Sequence, residues 1–137
     1  MTMKELEVEA ADENLAEVQA FVEEQLARTG CSLKAQMQIG VAVEEVFINI
    51  AHYAYAPGTG RATVRVEASD DPAAVSITFM DRGVPFDPLA KEDPDVALPA
   101  SERPIGGLGV FLTKKLMDGA SYEYRNGKNI LTLTKKL

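Results

Sequence analysis

The chain has 137 residues, 46% hydrophobic and 26% charged, the balance of one folded domain with a core of its own. A formal net charge of -7 makes it a poor nonspecific partner for nucleic acid or an anionic membrane. The single cysteine, Cys31, cannot close an internal disulfide and lies in no Cys/His cluster, which fits a reducing cytosol. The start, "MTMKELEVEA", is too acidic for a signal peptide, and no apolar run reaches the ~18 residues of a membrane span, so a cytoplasmic protein is expected.

Residues 4–10 alternate polar and apolar and predict a short strand. Leu15, Val18, Val22 and Leu26 then form a helical stripe, with Asp12 as its expected N-cap and Gly30 as its stop. Ser32 caps a second, longer helix running to about Tyr55 and closed by "APGTG". "RATVRVEA" at 61–68 alternates as a strand, "DDP" turns, and "AVSITFMD" at 74–81 is the partner strand; so short a link predicts an antiparallel hairpin. Residues 82–107 have no periodic pattern but contain Pro85, Pro88, Pro94, Pro99 and Pro104, the mark of a functional lid or a disordered segment. "GVFLTKKLMDG" predicts a helix with Phe111, Leu112, Leu116 and Met117 available for burial. "ASYEYRNGKNILTLTKKL" predicts a closing hairpin that turns at "NGK". Helices set against hairpin-joined strands predict an α+β two-layer sandwich, one domain over residues 1–137.

Three short stretches carry chemistry. In "VEEVFINIAHYAYAPG", at about 100° per residue, Gln38, Val41, Glu45, Asn49 and His52 share a narrow stripe, while Glu44 points away. A carboxylate and an amide one turn apart either share a hydrated Mg²⁺ or a water, or belong to a stripe that faces solvent. In "MDRGVPFDP", Asp81 ends an apolar strand and Gly83 follows. A carboxylate there accepts from an amino group such as that of adenine, or it opens an ordinary Asp-x-Gly turn; the glycine admits a ring or a backbone, or takes a positive φ. In "IGGLGVFLTKKL", Gly106, Gly107 and Gly109 open a helix, either as bare N–H donors for an anion or as a hinge. No Gly-Lys-Ser/Thr follows, and the spacing is not that of the dinucleotide fingerprint.

Taken in order, Glu-x-x-x-Asn on a helix, Asp-x-Gly at a strand end, a long lid and Gly-Gly-x-Gly resemble the GHKL ATPase superfamily over nearly the whole chain. Within it the chain is most similar to the bacterial anti-sigma-factor serine/threonine kinases, through its small size, the lack of an added domain and the Phe-Asp-Pro that ends the second stretch. The resemblance implies the GHKL (Bergerat) fold, a mixed, mostly antiparallel sheet covered on one face by helices, with an ATP lid at about 82–107. It implies ATP and Mg²⁺ as cofactors. Glu45 matches the acid that activates the attacking group, and Asn49 the Mg²⁺ ligand. Asp81 matches the adenine-reading carboxylate, Gly83 the glycine beside the base, and Gly106, Gly107 and Gly109 the phosphate loop.

A sigma factor and an antagonist protein are the implied partners, and relatives are often homodimers. The implied activity is serine phosphorylation of the antagonist; an ATP-responsive partner switch without transfer is the second expectation. The chain departs from the family in three places. Tyr53 stands where the family often has His, and His52 either lines the site or is a histidine bonded to backbone. Asn129 stands where a Thr near the adenine is usual, and an amide can make similar bonds. Arg103 is the candidate for the lid arginine, out of register by one or two residues.

Overall fold

A computed structural model of the chain describes residues 2–70, 72–90 and 113–137. Five strands form one sheet in the order β1-β2-β3-β5-β4: β1 Thr2–Glu9, β2 Arg61–Asp70, β3 Ala73–Asp81, β4 Gly119–Arg125 and β5 Lys128–Lys136. All four pairings are antiparallel, so the described sheet is not mixed as the resemblance implied. Two of these pairings are the expected hairpins, β2–β3 and β4–β5. The second turns at Asn126 and Gly127, both at positive φ (55° and 77°), as the two-residue Asn-Gly turn requires.

Two helices cover one face of the sheet. α1, Leu15–Ala27, buries Val18, Val22 and Leu26 at four-residue spacing. α2, Leu33–Asn49, is capped as predicted, with the Ala35 N–H donating to Ser32 Oγ at 3.1 Å. Its buried side, including Ile39, Val43 and Phe47, meets the inward residues of the sheet, among them Val64, Ile77, Phe79 and Leu133. The period-2 pattern of the strands and the 3.6-residue pattern of the helices thus face the same core. On the other sheet face the register lines up Glu5, Arg65, Thr78 and Thr132, with Arg65 paired to Glu5 at 2.7 Å.

Two local expectations need correction. Asp12 does not cap α1: it starts a 3₁₀ turn, Asp12–Asn14, and its carboxylate pairs with His52 Nε2 at 2.7 Å. The second helix is not α-helical to Tyr55. After Asn49 it widens into a π turn, Ile50–Ala54. With i→i+5 bonding each residue advances less than 100°, so the projection used for His52 fails from there on. His52 swings out to Asp12, and Tyr53, four residues after Asn49, stands at the rim of an apolar cavity while staying exposed.

Candidate functional site

A cavity of about 200 Å³ lies among the end of α2, the C-terminal part of β3, the segment 84–89 and the β4–β5 hairpin. Val46, Ile50, Phe79, Leu89, Leu131 and Leu133 make most of its wall apolar. Asn49, Tyr53, Asp81, Thr113, Tyr122 and Asn129 bring the polar groups. A largely apolar cavity with a few fixed polar groups suits a heteroaromatic ring.

Asp81 is the buried acid of this wall, 7% exposed. Its Oδ1 accepts the Gly83 N–H at 2.9 Å and an Asn129 Nδ2 hydrogen at 2.9 Å. The two residues are direct cross-strand partners on β3 and β5. Among the described residues nothing donates to Oδ2, which leaves one strong acceptor on a buried carboxylate. Asn129, also 7% exposed, is committed further. Its Nδ2 donates to the Val84 carbonyl at 2.9 Å, and its Oδ1 accepts the Phe86 N–H at 3.1 Å and the Tyr122 hydroxyl.

The turn after Asp81 is clamped from the other side by the π turn. Val84 N–H donates to the Ala54 carbonyl at 3.0 Å. A Cβ on Gly83 would lie 2.2 Å from that same oxygen and 2.6 Å from its carbon. Gly83 is therefore glycine because of close backbone approach, one of the options open from the sequence. Tyr55 completes the brace: its hydroxyl donates to the Arg61 carbonyl at 2.6 Å and accepts the Arg82 N–H at 2.7 Å. Burial pushes the phenols of Tyr55 and Tyr122 above their ordinary value, and the Asp81 carboxylate adds to the effect on both.

The structure brings Asn49, Asp81 and Asn129 into one cavity wall, with Gly83 behind it. Glu45, half-buried one turn back along α2, is outside that wall. His52 is exposed and outside it too. Gly106, Gly107, Gly109 and Arg103 lie outside the described residues, as do residues 91–107 of the expected lid and the expected helix start at 109–112. Sequence reasoning missed Tyr53, Thr113 and Tyr122 as wall residues. Only Tyr53 had a usable signal, its four-residue offset from Asn49.

Among the described residues no three His, Cys, Asp or Glu side chains group as a metal cage. That donor set still fits Mg²⁺, which takes one or two protein ligands and fills its shell with water and phosphate oxygens; the Asn49 amide oxygen is of the right kind. No helix among the described residues is long and apolar enough to cross a membrane.

The chain thus sets an open antiparallel sheet, backed by helices on one face, beside an apolar cavity overlooked by a buried strand-end carboxylate. Residues 8–135 match the model of the histidine kinase-like ATPase domain, and the chain belongs to that family. Its relatives narrow the picture. It is 29% identical, over 75% of its length and 72% of the relative's, to the serine/threonine-protein kinase BtrW of Bordetella bronchiseptica. It is 30% identical to the serine-protein kinase RsbW of Listeria monocytogenes, over 77% and 69% of the two chains. To RsbW of Bacillus cereus it is 27% identical over 93% and 81%. A crystal structure containing RsbU and RsbW domains from Mycobacterium tuberculosis has the same fold, with a TM-score of 0.71 at 20% identity. The match covers all of this chain but a third (33%) of that longer one.

Proposed function

We propose that this protein is an anti-sigma-type regulator that binds ATP with Mg²⁺ and phosphorylates a serine on a small antagonist protein. The observation that carries the reading is Asp81: a buried carboxylate lining the apolar cavity, with Oδ1 met by two donors of the protein and Oδ2 left to accept an exocyclic amine. Family membership and the kinase names of the relatives support the activity. When bound, MgATP supplies the phosphoryl group and the metal that neutralises its charge. The chain's own residues position: Asn49 holds the metal, and Glu45 orients or deprotonates the serine hydroxyl. Gly106, Gly107 and Gly109 contribute backbone donors to the phosphates. The same reading carries a sigma factor as second partner, a role in transcription regulation, a cytoplasmic location and a homodimer.

A second reading, an ATP-responsive partner switch without transfer, needs only the base-binding cavity around Asp81 and no catalytic acid. Nucleotide would then act by changing the partner surface.

Thermal unfolding with MgATP, followed by transfer of labelled γ-phosphate to a candidate antagonist, decides the matter. A ligand at a hundredfold over its Kd adds about 2.7 kcal/mol to the folded state, a plain rise in Tm. No rise at millimolar MgATP sinks the nucleotide reading. A rise with no transfer to any cognate partner leaves the switch.

A further inference from the structure

Asn129 has no hydrogen-bonding capacity left for a ligand. Its two amide hydrogens go to Asp81 Oδ1 and the Val84 carbonyl, the first at 2.9 Å and the second at 2.9 Å. Its oxygen takes the Phe86 N–H and the Tyr122 hydroxyl. Two of these partners are backbone groups, and they fix which end of the amide is which. An N–H such as that of Phe86 can only donate, so it must meet the oxygen; a carbonyl such as that of Val84 can only accept, so it must meet the nitrogen. The amide is buried, so reversing it would mismatch three groups at once, the Asp81 carboxylate, the Val84 carbonyl and the Phe86 N–H, while the Tyr122 hydroxyl could switch to accepting.

This forced orientation reaches Asp81. Both donors that meet Asp81, the Gly83 N–H and Asn129 Nδ2, converge on the same oxygen. Whatever occupies position 81 must therefore turn an acceptor toward residues 83 and 129 and present its other terminal atom to the cavity. We infer that Asn129 is a positioning residue that sets base selectivity without touching the base, by locking the face that residue 81 presents. The inference rests on the nucleotide reading above and deepens it: the site takes a purine bearing a 6-amino group and rejects a 6-oxo purine. It also moves Asn129 from the contact role expected by resemblance to one behind the contact.

The test compares ADP with inosine 5′-diphosphate, which replaces the 6-amino donor by a carbonyl acceptor, by titration calorimetry at fixed Mg²⁺. Wild-type protein should prefer ADP by roughly 10- to 100-fold, as expected for one bond to a charged group. Asp81→Asn is the sharper arm. With Asn129 in place, the new amide must turn its oxygen inward and its NH₂ to the cavity, so the preference inverts and inosine diphosphate binds tighter. An unlocked side chain would rotate to suit either base, so a variant that still prefers ADP, or prefers neither, overturns the inference.

Asn129→Asp provides the second arm. It sets two carboxylates within hydrogen-bond distance, which must share a proton. The ADP preference should then vary between pH 6 and pH 8 in this variant and stay flat in wild type. Val64→Ala, a core truncation away from the cavity wall, controls for lost stability and should keep the wild-type ratio. A flat ratio in Asn129→Asp, or a ratio that shifts equally in Val64→Ala, reduces Asn129 to a structural residue. Wild-type protein that binds neither nucleotide defeats the function proposed above, and this inference with it; equal binding of the two defeats this inference alone.

Discussion

Replacing Gly83 by alanine should break the platform under Asp81, and the cost can be read from the structure. The new Cβ would sit 2.2 Å from the Ala54 carbonyl oxygen and 2.6 Å from its carbon, both backbone atoms with no rotamer to escape to. Ordinary contact requires the turn to retreat by roughly 1 Å. Overpacking of this kind costs about 1–3 kcal/mol. The retreat also lengthens the 3.0 Å bond from Val84 N–H to that oxygen, worth about 1 kcal/mol net. The expected loss is therefore about 2–4 kcal/mol, with weaker ADP binding at equal folded concentration, because the Gly83 N–H that holds Asp81 moves too. Gly40 gives the opposite sign. It lies inside α2 with nothing within 4 Å of a built Cβ, so Gly40→Ala should stabilise by about 0.5–1 kcal/mol through helix propensity. Guanidinium unfolding followed by circular dichroism measures both, with the m-value as a check on two-state behaviour. A Gly83→Ala protein within 0.5 kcal/mol of the parent refutes the close-approach argument.

Glu45→Ala should keep MgATP binding and lose transfer by about 10²–10⁴-fold, since a general base acts in the transition state, and Glu44→Ala should do neither. Identical behaviour of the two variants in a single-turnover assay rejects Glu45 as the base. Asn49→Ala should remove the Mg²⁺-dependent part of ATP affinity, read as the difference between titrations with and without the metal. Stability should fall at alkaline pH. Tyr55 and Tyr122 have folded values raised above 10.0, so their contribution is complete below pH 10 and is lost as pH climbs through the folded values. Unfolding free energy measured from pH 9 upward should decline less steeply in Tyr122→Phe, and an unchanged slope contradicts the burial argument.

Much of this protein was legible from local rules. Ser32 as a cap, the Asn126–Gly127 turn, the alternating strands and the buried stripe of α1 each depend on residues within one or two turns of one another. Asp81 at a strand end was readable for the same reason, whereas local rules left the stripe holding Asn49 open between a site and solvent. What failed locally was Asp12 as a cap, because a 3₁₀ turn puts Asn14 at that position, and His52 as a wall residue, because a π turn carries it out to Asp12, forty positions away (|i−j| of 40). The tertiary structure alone decided the strand order, which sets β5 beside β3 and so puts Asn129 against Asp81, 48 positions away. It alone showed that Gly83 yields to Ala54 and that Asn129 spends its whole amide on the protein. Side-chain type and period are properties of a short window of chain, whereas the partner of a buried polar group is chosen by register between distant segments, and no window contains it.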